Sequence, residues 1–190
     1  IQVYNLGSIS FKPDASVRSL PDSFLSGYFL DSASPIPGVD PQEGLSALSI
    51  SSNVYEMFNI KLSEGGMASE SSYQYDQGKP VEVVLGSDYR EYFQIGDFIN
   101  GSWQVEKMTL VVVGFLEKGS MVPGDTGAMT VLDKTILIPS FETVLSCNSS
   151  DGDVKDFERK IYINKGAPLI LLDSDHGDPS ELLYETAART

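Results

Sequence analysis

The stretch from Lys79 to Leu116, KPVEVVLGSDYREYFQIGDFINGSWQVEKMTLVVVGFL, constrains the fold more than any other, because strand, helix and hairpin signals follow one another in it without a break. Val81 to Leu85 is a short apolar run in which only Glu82 is charged, the length and β-branched content of a mostly buried strand. Gly86 ends it. Ser87 or Asp88 then caps a predicted short helix through Phe93, with Tyr89, Tyr92 and Phe93 near i, i+3, i+4 spacing on one face. Gly96-Asp97 reads as a turn into the next strand, and Asn100-Gly101 as a type I′ hairpin turn, since both central positions there need positive φ. Phe98 and Trp103 flank that turn. Thr109 to Leu116 is apolar on both faces around Gly114, which places it mid-sheet and predicts the most buried strand of the chain.

The motifs VEVVLGSDY, IGD and VVVGFLEKGS, closed by ILIP, are carried by Pro80, Val81, Val84, Leu85, Gly86, Phe93, Gly96, Asp97, Val112, Val113, Gly114, Phe115, Ile138 and Pro139. Together with YEMFNIKLSEG at Tyr55 to Gly65, this pattern resembles the extracytoplasmic domain of MacB/FtsX-type ABC transporter permeases, over about residues 52–140. The resemblance implies an α+β fold of mixed and antiparallel sheets with short helices, like the MacB periplasmic core and built as two subdomains. Pro80, Gly86, Gly96, Asp97, Gly114 and Pro139 are then its structural motif residues. Residues 1–190 would form a single extracytoplasmic domain with its core motif at 45–145, the N- and C-terminal segments completing the second layer. Its implied partners are a cytoplasmic ATPase subunit acting indirectly, a second permease copy, and a peptide, lipid-linked substrate or extracellular protein.

A formal net charge of -14 argues against nucleic acid, because neutralising phosphates requires a cluster of Lys and Arg that this chain lacks. The same charge disfavours adsorption on anionic lipid and suits a cationic partner, while also serving to keep an exposed domain soluble. Cys147 is the only cysteine, so a disulfide-stapled fold is excluded. No run reaches the roughly 20 apolar residues that span a bilayer, and IQVYNLGSISF at the start lacks the basic and apolar regions of a signal peptide. These features, with the missing initiator Met, lead us to expect a domain attached to the membrane by segments outside this chain.

Elsewhere, Ile9 to Lys12 predicts a short strand ended by Pro13, and Ser19-Leu20-Pro21-Asp22 caps a short helix that includes Phe24. The Pro-rich segment from Asp31 to Gly44 reads as loop or hinge. Leu45 to Ile50 predicts a strand, Ser52 to Phe58 a capped helix, and Ile60 to Leu62 a strand that Glu64-Gly65-Gly66 terminates. Two aperiodic segments, Ala68–Gly78 and Glu117–Thr130, are the expected contact loops. Their candidate partner contacts are Tyr73 and Tyr75 in the first, and Met121, Val122 and Met129 in the second; packing back onto the sheet is the competing role for each. Lys134 to Pro139 resumes a strand, Phe141 to Leu145 a helical turn, Phe157 to Asn164 and Leu169 to Leu172 two more strands, and Asp178-Pro179-Ser180-Glu181 opens a last helix.

Chemistry-bearing patterns are few. His176 is the single histidine, so a triad or His-rich zinc site would rest on it alone. Asp173, Asp175 and Asp178 resemble the start of a calcium loop, but Gly177 falls at the fifth position and Tyr184 stands where a Glu is needed. Walker, GxGxxG and GxSxG patterns are absent, and Cys147 reads as an inert thiol. Asn100 and Asn148 are glycosylation sequons that matter only in a glycosylating pathway. The expectation is therefore a non-catalytic domain with no cofactor and no metal. A secreted carbohydrate-binding module or hydrolase is the alternative, drawn from the acidity, the aromatics and the many Ser and Asp residues.

Overall fold

The computed structural model describes residues 2–4, 6–14, 20–24, 44–76, 78–103, 106–124, 128–141 and 169–171. The expected hinge at 31–43, the strand at 157–164, the last helix, the turn after Phe141, Cys147, Asn148, His176 and the acidic 173–178 loop lie outside them. The described chain is strand-rich and mostly β, with few helices and mixed strand pairing. Its strands are β1 (Gln2–Tyr4), β2 (Leu6–Pro13), β3 (Leu45–Ile50), β4 (Leu62–Gly65), β5 (Val81–Leu85), β6 (Phe98–Trp103), β7 (Glu106–Leu116), β8 (Met121–Pro123), β9 (Met129–Val131), β10 (Ile136–Pro139) and β11 (Leu169–Leu171). One α-helix, α1 (Asn53–Met57), and 3₁₀ turns at Asp22–Phe24, Glu70–Tyr73 and Ser87–Glu91 complete it. The segment after Gly86 thus forms a 3₁₀ turn where its spacing predicts an α-helix.

Six strands close on themselves. The order is β7-β5-β10-β3-β2-β6, and β6 pairs back onto β7, while β4 adds to the far end of the same β7 edge that β6 occupies. The β5–β7 and β10–β3 pairs are parallel and the other four barrel pairs antiparallel. A barrel of so few strands has an interior that side chains fill. Period-two alternation supplies them: Leu45 and Ala47, Val81, Val83 and Leu85, Ile136 and Ile138, and Met108, Leu110 and Val112 belong to one buried cluster. On β7 the register against β5 slips after Val83↔Val112, leaving Val113 as the extra residue of a bulge. That slip brings Phe115 into the inner cluster.

Alternate residues on the same strands face outward into a second cluster. Leu48, Ile50, Val84, Leu137 and Leu116 pack there with Val54 and Tyr55 of α1 and with Ile60, Val122 and Leu132. β10 is consequently buried at every position, and among the strands whose burial is described it takes the place of β7 as the most buried, since Val111 and Val113 on β7 are only partly covered.

The Asn100-Gly101 pair is not a turn. It lies inside β6, paired to Thr109 and Met108 across the ladder, and Gly101 also faces Pro13 of β2. A Cβ on Gly101 would stand 2.3 Å from the Lys12 carbonyl oxygen and 2.7 Å from the Phe11 ring. The glycine therefore serves close approach of two backbones at the seam of the barrel. Similarly, Glu64 and Gly65 continue β4 instead of ending the unit.

Each end of the barrel is plugged by aromatic rings. Tyr89 is fully buried beyond Leu85 and meets Phe24 edge-on at a centroid distance of 4.6 Å. At the opposite end Phe141 packs between Trp103 and Tyr75, with centroids 6.0 and 5.2 Å away. The Tyr89 hydroxyl has no hydrogen-bond partner among the described residues, and burial raises its pKa.

Two stability tests follow from this packing. Gly101→Ala should cost about 2–3 kcal/mol in urea unfolding, because the clash is with backbone that cannot step aside. Tyr89→Phe should be neutral or raise the melting temperature, since it removes a buried hydroxyl whose desolvation costs about 1–3 kcal/mol when unpaired; a drop of several degrees would show that the hydroxyl is bonded.

Candidate functional site

The two expected contact loops take different forms. Residues 66–76 and 78–80 make a strap across the outer wall of the barrel. Glu82 on β5 pins it, its carboxylate accepting the Ser69 N–H at 2.6 Å, and the pKa of that carboxyl is held low chiefly by this bond, with help from the Ser69 and Ser72 hydroxyls against a smaller opposing effect of burial. The strap also buries Tyr73, which is only 8% exposed and whose phenol burial pushes up to about 12. Tyr73 therefore anchors the strap from beneath and offers no surface to a partner. Tyr75 is half-buried, held against Phe141.

Polar side chains contribute to the lining of two clefts at the strap. The smaller, about 200 Å³, is bounded by Asp14, Tyr75, Lys79, Asn100, Lys107 and Thr109. The larger, about 330 Å³, is bounded by Ser71, Ser72, Gln74, Asp76, Lys79 and Glu82. Lys79 belongs to both and is ion-paired with Asp76. On the floor of the first, the Thr109 hydroxyl donates to the Asn100 side-chain oxygen at 2.9 Å.

In the second loop, β8 and β9 form an antiparallel ribbon with Met121↔Val131, Val122↔Thr130 and Pro123↔Met129 opposite one another. Opposed residues share a face and alternate positions swap faces. Val122 is accordingly buried in the outer cluster, with only 1% exposure, and leaves the set of contact candidates. Met121, Met129 and Val131 stand on the other face at 44%, 54% and 52% exposure, forming an apolar patch together with Pro123. No period in the sequence marks Val131, which completes that face. Other exposed apolar side chains, Ile95 before β6, Phe98 at its first position and Met67 on the strap, likewise carry no sequence signal of their exposure.

The motif residues serve the backbone. A Cβ on Gly86 would lie 2.1 Å from the Leu132 carbonyl oxygen. Gly96 sits at φ +92°, and the Asp97 carboxylate accepts the Gln94 N–H at 2.8 Å to fix the same turn. Gly114 lets the strap cross β7 at Gly66, Pro80 leads into β5, and Pro139 ends β10 opposite Ile50. Among the described residues no group of three or more His, Cys, Asp or Glu side chains is placed to hold a metal ion, and no helix is long and apolar enough to cross a membrane. In comparison with known proteins, no family model matches the chain, and neither does a curated protein or a solved structure.

The strap's attachment is testable by pH. A depressed carboxyl pKa adds stability that is full above the ordinary Glu value of about 4.3 and is lost as pH falls through the native value. Glu82→Gln should thus lower the melting temperature near neutral pH, and the two proteins should converge in acid. Parallel curves down to the lowest pH would mean that the Ser69 bond contributes nothing to folding.

Proposed function

We propose that this chain is a non-catalytic extracytoplasmic domain of a bacterial ABC transporter permease of the MacB/FtsX type. In this reading ATP is hydrolysed by a cytoplasmic subunit, and the domain passes the resulting movement to a protein outside the membrane. The likeness of the Pro80–Gly86, Gly96–Asp97, Val112–Phe115 and Ile138–Pro139 motifs supports the class. The closed barrel suits the role, because a ring of paired strands filled with packed side chains moves as a body.

The observation that carries the contact is the ribbon face of Met121, Met129, Val131 and Pro123. It is apolar and exposed, yet fixed to the barrel from behind by Val122. Exposed methionines adapt to an apolar surface at small conformational cost. The partner is a protein whose apolar patch is rimmed by Lys and Arg, the rim that complements a chain of net charge -14.

Met121→Glu combined with Met129→Glu, made in the full transporter, tests this directly. Because both positions are exposed, unfolding free energy should change by less than about 1 kcal/mol in all. Co-purification of the extracytoplasmic partner and transport should both fall at least about ten-fold. Normal complex formation and normal transport in this variant would remove the ribbon from the mechanism.

A further inference from the structure

The strap and its two clefts present a surface whose chemistry differs from that of the ribbon. The lining mixes donors and acceptors: Asn100 and Gln74 carry amides, Thr109, Ser71 and Ser72 hydroxyls, and Lys79 and Lys107 ammonium groups, several of them already bonded to one another, as Thr109 is to Asn100. The aliphatic side chains that border the clefts, Met108 and Val81, are only 5% and 6% exposed, so the apolar part of the lining comes from the Tyr75 ring, the exposed Pro80 and the carbon stems of the polar side chains.

Charge discriminates further. Asp14, Asp76 and Glu82 stand against Lys79 and Lys107, so the lining carries no surplus of positive charge for a phosphate or other polyanion. Nor does it favour a cationic peptide. Two of the three carboxylates are already engaged, Asp76 by Lys79 and Glu82 by the Ser69 N–H. What remains is a mixed array suited to a ligand rich in groups that both donate and accept, which is the property of a hydroxyl.

We propose that the trough on either side of Lys79 binds a neutral oligosaccharide. Tyr75 supplies the aromatic wall, its ring held in place by Phe141 at 5.2 Å. Sugar rings present apolar C–H faces that pack on such a ring while their edges take hydrogen bonds. The larger cleft alone reaches the lower end, about 300 Å³, of ordinary small-ligand sites. Lys79 lines both clefts, so a chain of several sugar units crosses it and meets each side in turn.

The test is a titration of the full chain, followed by backbone amide NMR, with hexasaccharides of β-linked N-acetylglucosamine, β-linked glucose and α-linked glucose. One of them should give saturable shifts at Ser72, Gly78, Asn100 and Thr109, with a Kd of about 1 mM or tighter. Lys79→Ala removes an exposed ion pair that adds little to the fold, and should weaken binding about ten-fold. The Met121→Glu, Met129→Glu variant should bind as the native chain does, which separates this site from the ribbon. Because the ligand is uncharged, raising NaCl to about 0.5 M should alter the affinity less than two-fold. The proposal is overturned if no hexasaccharide produces saturable shifts at these residues, if Lys79→Ala binds unchanged, or if the binding collapses in salt.

Discussion

Everything in this molecule depends on the double pairing of β6. Through Phe11↔Trp103 and Pro13↔Gly101 it holds β2, and through Phe98↔Val111 to Trp103↔Glu106 it holds β7. Without that pair of ladders the remaining strands would be an open sheet with two raw edges, and the inner cluster would face water on one side. Closure converts the same residues into a sealed core. The geometric toll falls on single positions: Gly101 where β2 and β6 touch, and Val113, the added residue that turns Phe115 inward.

The parts of the fold that could be read in the sequence are those set by neighbours along the chain. Val81–Leu85 and Leu45–Ile50 appear as strands with the predicted limits, because each is a short β-branched or apolar run with a breaker close by. The turn at Gly96-Asp97 was legible too, since positive φ has a strong residue preference. Asn100-Gly101 misleads because glycine has two uses. The local rule supplies the turn, whereas contact with Lys12, distant in the chain, supplies the close crossing that occurs. Nothing within a window of ten residues distinguishes them.

The candidate surfaces were legible only as regions. Residues 68–78 and 117–130 lack periodicity, which locates them outside the core strands but does not say which side chains point out. Tyr73 and Val122 lie inside, Met121 and Met129 outside, and that division follows from strap attachment and ribbon register, both of which are non-local. Charge was readable from composition alone. The mixture of donors and acceptors around Lys79 was not, for it assembles Asp14, just past β2, with residues from β5, β6, β7 and the strap.

One small sheet lies apart from the barrel ladders: β1 and β11 run antiparallel, with Gln2 beside Leu171 and Tyr4 beside Leu169. The polypeptide leading into Gln2 and the polypeptide leaving Leu171 therefore emerge at the same end of one ladder. Tension that separates those two leads would load its rungs one at a time. Tension applied to both leads together would drag the whole body along with the ladder intact. A ladder of three rungs in this register would resist common motion of the leads as a unit and splaying only rung by rung.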